Sequence, residues 1–330
     1  MRVLVTGANG LVGAALCRTL AARGDRVRGM VRVTSDLASL VGVDAELVLG
    51  DLGDSASLKR ATRDVEVVYH AAAAVSDWGT PEWFRRVNVD GTRRVLDAAI
   101  HQGVSRLVYV SSIAVHSFIG ARDLDETAPQ NPTPFLYSQS KREAEALALT
   151  YHRLGRIDVV IVRPGVVYGP WDSMILPRIA PLLRRGLLPY LDKGRTLGAF
   201  TYVENLAEGL ALAGVAEAAP GEAYVITDGV ELTWQGYIEG LADALGWPRP
   251  WLSVPSRLAD PAASALEALY RRLGVQRRPP ITRYLVEHLR HDVHFRIAKA
   301  RAELGYAPSV GVEEALARTA AWFREAREQR

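Results

Sequence analysis

Tyr137 and Lys141 stand four residues apart in the run Tyr137-Ser138-Gln139-Ser140-Lys141. On a helix that spacing puts both side chains on one face. A phenol ordinarily titrates near pH ~10 and is a poor acid–base group at neutrality. A neighbouring ammonium favours the phenolate and should bring the phenol toward the working range. Upstream, Ser111 and Ser112 close an apolar run of the kind buried in a parallel sheet. The carboxyl end of such a strand is where these sheets bind ligands.

A second chemical group opens the chain. Thr6-Gly7-Ala8-Asn9-Gly10-Leu11-Val12-Gly13 lies between a strand pattern and an apolar helix pattern. Glycines there let backbone approach a pyrophosphate, and the helix start offers unpaired N–H groups. Gly7, Asn9, Gly10, Leu11, Val12 and Gly13 are therefore candidate cofactor contacts. Cofactor choice turns on the end of the second strand, where an acid would bind a ribose 2′-hydroxyl and an arginine a 2′-phosphate. The chain reads Met30-Val31-Arg32-Val33-Thr34-Ser35, with no acid before Asp36. Arg32 favours NADP(H) if it clamps the phosphate; NAD(H) is the alternative if it is a solvated surface arginine.

These groups need a scaffold, and the periodicity supplies one. Strand patterns at residues 2–5, 27–31, 46–49, 65–70, 106–111 and 157–163 alternate with helix patterns at 11–22, 81–101 and 134–154. Repeated β-α-β alternation predicts an α/β fold, a doubly wound parallel sheet of Rossmann type. Beyond residue 170, prolines punctuate short elements, and helix patterns recur at 203–214, 233–245, 256–273 and 312–327. The expected division is a core at 1–170 and a smaller, mostly helical substrate lobe at 171–330, with elements at about 196–227 returning to the core.

The 330 residues are 48% hydrophobic and carry 40 Lys and Arg against 37 Asp and Glu. The basic residues are scattered rather than clustered into a stripe, which argues against a nucleic-acid partner. No apolar run is long enough to span a bilayer, and no signal peptide precedes the first strand. The single cysteine, Cys17, sits in a helix pattern and cannot build a disulfide or a multi-cysteine metal site. A cytoplasmic enzyme with no metal is expected.

The spacing T-G-x-x-G-x-x-G at residues 6–13, with Tyr-x-x-x-Lys at 137–141, resembles the short-chain dehydrogenase/reductase superfamily. Arg163-Pro164-Gly165-Val166-Val167-Tyr168-Gly169-Pro170 is similar to the R-P-x-x-V-Y-G-P segment of its extended, epimerase/dehydratase branch. The resemblance implies roles. Asp51 and Leu52 would lie at the adenine, and Ala71, Ala72 and Ala73 near the ribose and nicotinamide. Asn88 would steady the active-site strands and belongs with the cofactor-binding set. Pro164, Gly165, Val166 and Val167 join that set. Tyr137 would exchange the proton, and Lys141 would hold the cofactor ribose. Aligning Val115-His116 with the family's Val-Tyr makes Ser112, not Ser111, the hydroxyl that holds the substrate oxygen.

Within that superfamily, Trp78-Gly79, the run at 201–206, the run at 224–229 and the run at 299–306 look like the 3β-hydroxysteroid dehydrogenase/isomerase branch. That branch includes bacterial 2-alkyl-3-oxoalkanoate reductases, and its substrates are bulky and apolar. Sugar-nucleotide epimerases and dehydratases usually carry Asn where this chain has Val166, which weakens that rival. A non-catalytic dinucleotide sensor would typically lose Tyr137 or Lys141. Trp171, Met174, Ile175, Leu176, Leu187, Leu188 and Tyr190 could line an apolar cleft or simply form lobe core. A homodimer is expected through the helices at 81–101 and 134–154, with Ala144, Ala146, Ala148 and Leu149 as small packing surfaces.

Overall fold

A computed structural model describes residues 1–116 and 120–328. Seven parallel strands form the central sheet: β1 (Arg2–Thr6), β2 (Arg26–Val31), β3 (Glu46–Leu49), β4 (Val67–His70), β5 (Arg106–Val110), β6 (Asp158–Pro164) and β7 (Ala223–Ile226). Their spatial order is β7-β6-β5-β4-β1-β2-β3. β1, β4 and β5 are β-branched and aromatic runs buried along nearly their whole length, as strands covered on both faces must be. The order reverses between β1 and β4, which opens a crevice at their carboxyl ends.

Helices cover both faces. α1 (Leu11–Ala22) packs on one side. α2 (Ser55–Ala61), α4 (Asp90–His101) and α5 (Leu136–Arg153) pack on the other. The expected single helix at 81–101 is instead α3 (Pro81–Phe84), a π-helical turn at Arg85–Val89, and then α4. Thr80 caps α3, its hydroxyl accepting from the Trp83 amide.

The second half contributes α6 (Leu176–Leu183), α7 (Val203–Ala213), α8 (Trp234–Leu245), α9 (Ser256–Arg272), α10 (Arg283–Arg290), α11 (Ala298–Leu304) and α12 (Val312–Glu328). α7 lies beside α1 on the sheet, and α8 packs on α12. Short parallel pairs, Phe200–Tyr202 with Val166–Tyr168 and Val293–Phe295 with Ala121–Leu124, stitch this half to the core. Asp228 fastens the join. It accepts from the Tyr202 amide, the Asn205 amide nitrogen and the Tyr168 hydroxyl, while Asn205 also binds the backbone at Ser309 and Val310. The runs at 201–206 and 224–229 therefore meet at a buried clasp. Among the described residues no helix is long and apolar enough to cross a membrane. Cys17 is buried, and burial pushes its thiol up to about 12.

Candidate active site

A cavity of about 1620 Å³ opens at the carboxyl ends of the strands and runs under the helical lobe. Its wall contains Gly7, Asn9, Gly10, Leu11, Val12, Gly13, Arg32, Asp51, Leu52, Ala71, Ala72, Ala73, Ser112, Tyr137, Lys141, Pro164, Gly165, Val166 and Val167. Of the expected site residues, Asn88 alone does not line it; it lies one layer behind.

At one end is the glycine turn. Gly7 has φ of +68°, and a Cβ there would lie 2.9 Å from the Ala72 backbone. A Cβ on Gly13 would fall 2.1 Å from the Gly7 carbonyl oxygen, so only glycine lets α1 start this close to the strand. Gly10 marks the start of α1, whose first N–H groups face the cavity end and can hold an anion. The turn is stitched to the residues after β2: Ser39 donates to the Asn9 carbonyl (2.9 Å) and Ser35 to Asn9 Oδ1 (3.3 Å). Arg32 is exposed there, and among the described residues its guanidinium has no hydrogen bond or ion pair. A diphosphate-bearing dinucleotide fits this end on two counts: glycines closing the backbone cradle and a helix start aimed at it.

The alanine segment after β4 is fixed by a polar chain. The Ala72 amide donates to Thr6 Oγ1 (3.2 Å), Thr6 pairs with His70 Nδ1 (2.8 Å), and His70 Nε2 pairs with Thr92 Oγ1 (3.0 Å). Thr92 donates onward to the Asn88 carbonyl (2.6 Å). One proton arrangement satisfies every link, with His70 neutral and protonated on Nε2. Burial and the nearby Lys141 charge hold that histidine down to about 3, so it stays neutral at physiological pH. Asn88 accepts from the Ala74 amide (2.7 Å) and donates to the Ala74 carbonyl (3.1 Å) and to Ser140 Oγ (2.9 Å). Ser140 donates to the Tyr137 carbonyl (2.8 Å). Asn88 thus ties the cofactor-side loop to the first turn of α5.

The catalytic candidates converge at the end of β5. The Tyr137 phenol lies beside Ser112, whose hydroxyl opposes the rise in its titration, and Ser112 Oγ accepts from the Ala114 amide (3.1 Å). Lys141 Nζ donates to the Val110 carbonyl (2.5 Å) and lies 4.4 Å from the Tyr109 ring centroid. The titration differs from the expectation that Lys141 would draw the phenol down. Burial pushes Tyr137 up to about 12, and the contact that opposes it comes from Ser112. Burial also pulls Lys141 down to about 7, against a raising influence from Glu145.

Ser111 turns away from the cluster. It donates to Glu145 Oε2 (2.7 Å), and Glu145 pairs with Arg163 in a buried ion pair. Gln130 donates to the other carboxylate oxygen (2.9 Å), and Arg163 also reaches the Glu126 carbonyl and His116. With every lone pair engaged, this pair tolerates burial. It braces β5, β6 and α5 behind Ser112, Tyr137 and Lys141.

The other end of the cavity is apolar and aromatic. Met174, Ile175, Leu188 and Tyr190 line it as expected, but Trp171, Leu176 and Leu187 do not. Trp171 packs on Trp322, Leu176 is core, and Leu187 is exposed. Missing from the sequence reading are Ile113, Trp234, Tyr284 and His288, which also line it. Tyr284 and His288 come from α10, whose eight residues are too few for their one-sided pattern to stand out in the sequence. Two of the four dimer-surface candidates also change place: Ala144 and Ala148 face the sheet within the core, while Ala146 is exposed and Leu149 half-buried.

An all-parallel sheet in this order, with a glycine turn between its first strand and helix, defines a dinucleotide-binding fold of Rossmann type. Residues 3–227 match the model of the NAD dependent epimerase/dehydratase family, and the chain belongs to that family. It is 36% identical, over 96% of its length and 95% of the relative's, to a 4-hydroxy-2-methyl-3-oxo-4-farnesyl-3,4-dihydroquinoline-1-oxide ketoreductase of Stigmatella aurantiaca. It is 32% identical, over 96% and 98%, to a 2-alkyl-3-oxoalkanoate reductase of Stenotrophomonas maltophilia (strain K279a). Among solved structures it resembles a dTDP-glucose 4,6-dehydratase of Streptomyces venezuelae with NAD bound, at a TM-score of 0.79 and 29% identity, covering 100% and 98% of the two chains.

Proposed function

We propose that the protein interconverts a ketone and an alcohol on a bulky apolar substrate, with NADP(H) as the preferred cofactor. One observation carries the proposal. A single cavity joins a phosphate-cradling turn, a Ser112/Tyr137/Lys141 cluster and an apolar wall. A bound nicotinamide supplies or accepts the hydride. In the reducing direction Ser112 holds the carbonyl oxygen, and Tyr137, which burial keeps protonated, donates its proton to that oxygen. Lys141 would hold the cofactor ribose. Asp51 and Leu52 would sit at the adenine, residues 71–73 and 164–167 around the nicotinamide and its ribose. Arg32, exposed and unpaired among the described residues, suits a 2′-phosphate. The apolar side chains around Met174 and Ile175 exclude water and take the substrate skeleton.

The test is oxidation of NADPH, followed at the nicotinamide absorbance, with a panel of 3-oxo steroids, 2-alkyl-3-oxoalkanoates, aryl ketones and UDP- or TDP-sugars. Turnover of the apolar ketones and none of the sugars is expected, since Val166 offers no polar contact to a nucleotide diphosphate. Epimerised sugar at enzyme-like rates would overturn the substrate class. The outer faces of α4 and α5, bridged by Tyr151 and Asp97, suit pairing with a second copy. Sedimentation at micromolar concentration should show a dimer, and a monomer would contradict this. The lone buried thiol suits a reducing compartment such as the cytoplasm.

A further inference from the structure

We propose that Asp77 is a positioning residue that seats α10 over the cavity, and that Tyr284 and His288 on that helix form a specificity-determining wall facing Tyr137. The proposal rests on the oxidoreductase reading above and adds to it the element that selects the substrate.

Asp77 lies in the loop that leaves β4, just after residues 71–75, which line the cavity. Its carboxylate receives both arms of the Arg278 guanidinium and the hydroxyl of Thr282. Asp77 is 9% exposed and Arg278 21%, so this is a largely desolvated, bidentate pair of the strong kind. Thr282 serves twice. Its hydroxyl oxygen caps α10 by accepting from the Leu285 amide (3.2 Å), while its proton goes to Asp77. One carboxylate therefore fixes the start of a helix that begins more than two hundred residues later in the chain.

The neighbouring Trp78 makes a second attachment. Its ring meets Tyr270 edge-on at 6.3 Å, and the Arg271 guanidinium lies 5.4 Å from its centroid. Glu267 of α9 accepts from the Arg283 amide (2.7 Å), so α9 and α10 are tied to each other as well. The core loop thus holds the pair of helices at two adjacent residues on one side, while on the other Leu191 is buried among Ala259, Ala263 and Val286 and Thr196 donates to the Leu289 carbonyl (2.6 Å).

The seating matters because of what α10 carries. Tyr284 and His288 are one turn apart and share a face, and both line the cavity. The Tyr284 ring stands edge-on to Tyr137 at 6.4 Å and to Phe135 at 5.2 Å. The His288 ring lies parallel to Tyr284 at 6.2 Å and edge-on to Trp234 at 5.6 Å. Burial keeps Tyr284 a neutral phenol and His288 a neutral imidazole. The wall beside the proton donor is thus aromatic and uncharged. It suits a large apolar skeleton, and a shift of α10 would change the room next to Tyr137 without touching the glycine turn.

The experiment compares the full-length wild type with Asp77→Asn, Asp77→Glu and Tyr284→Ala. Three readouts are used: NADPH affinity by fluorescence, steady-state reduction of 5α-androstan-3-one and cyclohexanone, and hydrogen exchange of the α10 amides. Asp77→Asn keeps the size but removes the charge from the pair. Its KM for the steroid ketone should rise about tenfold, the loss expected of one charge-assisted hydrogen bond. Its kcat, its NADPH affinity and its KM for cyclohexanone should stay within about twofold, and Asp77→Glu should recover part of the loss. Exchange in α10 should quicken about tenfold in Asp77→Asn while the sheet is unaffected. Tyr284→Ala should alter the steroid-to-cyclohexanone preference with α10 still protected. Equal damage to both ketones and to NADPH binding would make Asp77 a general stability residue and overturn the proposal. So would unchanged exchange in α10. If the wild type reduces neither ketone, the oxidoreductase reading fails, and the exchange measurement still decides whether Asp77 seats α10.

Discussion

The two ends of the cavity are held in place by different means. Around the sheet, buried polar groups form closed chains: Thr6 with His70 and Thr92, Asn88 with Ala74 and Ser140, Glu145 with Arg163, Ser111 and Gln130. Those links run between strands, helices and the loops that join them. Under the lobe the wall is apolar and aromatic, with Leu182 and Leu258 lining the cavity while 42% and 60% exposed. Its helices are tied by the Asp77 carboxylate, the Thr196–Leu289 hydrogen bond and a small apolar cluster at Leu191, Ala259, Ala263 and Val286. Satisfied polar networks specify one arrangement, whereas apolar walls tolerate substitution at modest cost. The lesson is a division of labour: the sheet end fixes the chemistry for any substrate, and the lobe end decides which substrate reaches it.

The sharpest way to break that division is Tyr137→Phe. It removes one hydroxyl and keeps the ring against Tyr284. Activity on every ketone should fall by roughly 100- to 10,000-fold, with NADPH affinity nearly unchanged in a fluorescence titration. Ser112→Ala should lower kcat for all ketones, and Ser111→Ala should act mainly on stability through Glu145. A larger rate loss from Ser111→Ala would shift the strand end by one residue.

Lys141→Met tests whether the chemistry is built at the expense of stability. Burial holds the Lys141 ammonium down to about 7 from an ordinary 10.5. Between those values the unfolded chain binds a proton that the folded chain does not, so this group makes stability rise with pH across that window. At and below pH 7 its burial costs the most. The methionine variant should be inactive but more stable in urea than the wild type by at least about 1 kcal/mol, one pK unit's worth. That advantage should be largest near pH 6.5 and shrink toward pH 10. A variant less stable than the wild type at both pH values would refute the assignment of strain to Lys141.

The mildest of these changes is Arg32→Ala, at the open cofactor end. NADPH binding should weaken about tenfold and NADH binding stay the same, consistent with the loss of an exposed charge–phosphate contact. Equal loss for both cofactors in parallel titrations would remove Arg32 from the 2′-phosphate.

What the chain announced in advance was local. A glycine turn between a strand and a helix, a Tyr and a Lys one turn apart, and apolar runs separated by amphipathic helices all declare themselves within some twenty residues. The fold class and the family followed from these. What stayed hidden depends on distant chain. Asp77 meets Arg278 at a separation of 201 residues, and nothing in either neighbourhood marks the pairing. Apolar identity also failed to separate core from cavity wall: Leu176 and Ile175 are adjacent and similar, yet one is buried in the core and the other lines the cavity. The small residues of α5 posed the same ambiguity, because a helix on a sheet needs alanines on its inner face as much as a helix in a dimer needs them outside. Ala144 and Ala148 serve the sheet. The expected lowering of the Tyr137 phenol by Lys141 was missed for a different reason. Burial opposes charge on the phenol and the ammonium alike, and a spacing rule carries no information about burial.

The π-helical turn at Arg85–Val89 gives the chain a slack that regular helix lacks. A residue more than an ordinary helix uses is wound into that stretch. Deleting one residue there would let the helix close up as regular α while the turns on either side kept their orientation. Trp83, which lines the cavity, and Phe84 would then keep their places relative to α4. A lost codon is tolerated in this stretch if Asn88 and its bonds to Ala74 and Ser140 survive it, whereas one lost from the regular turns of α4 would swing everything before it by about 100°.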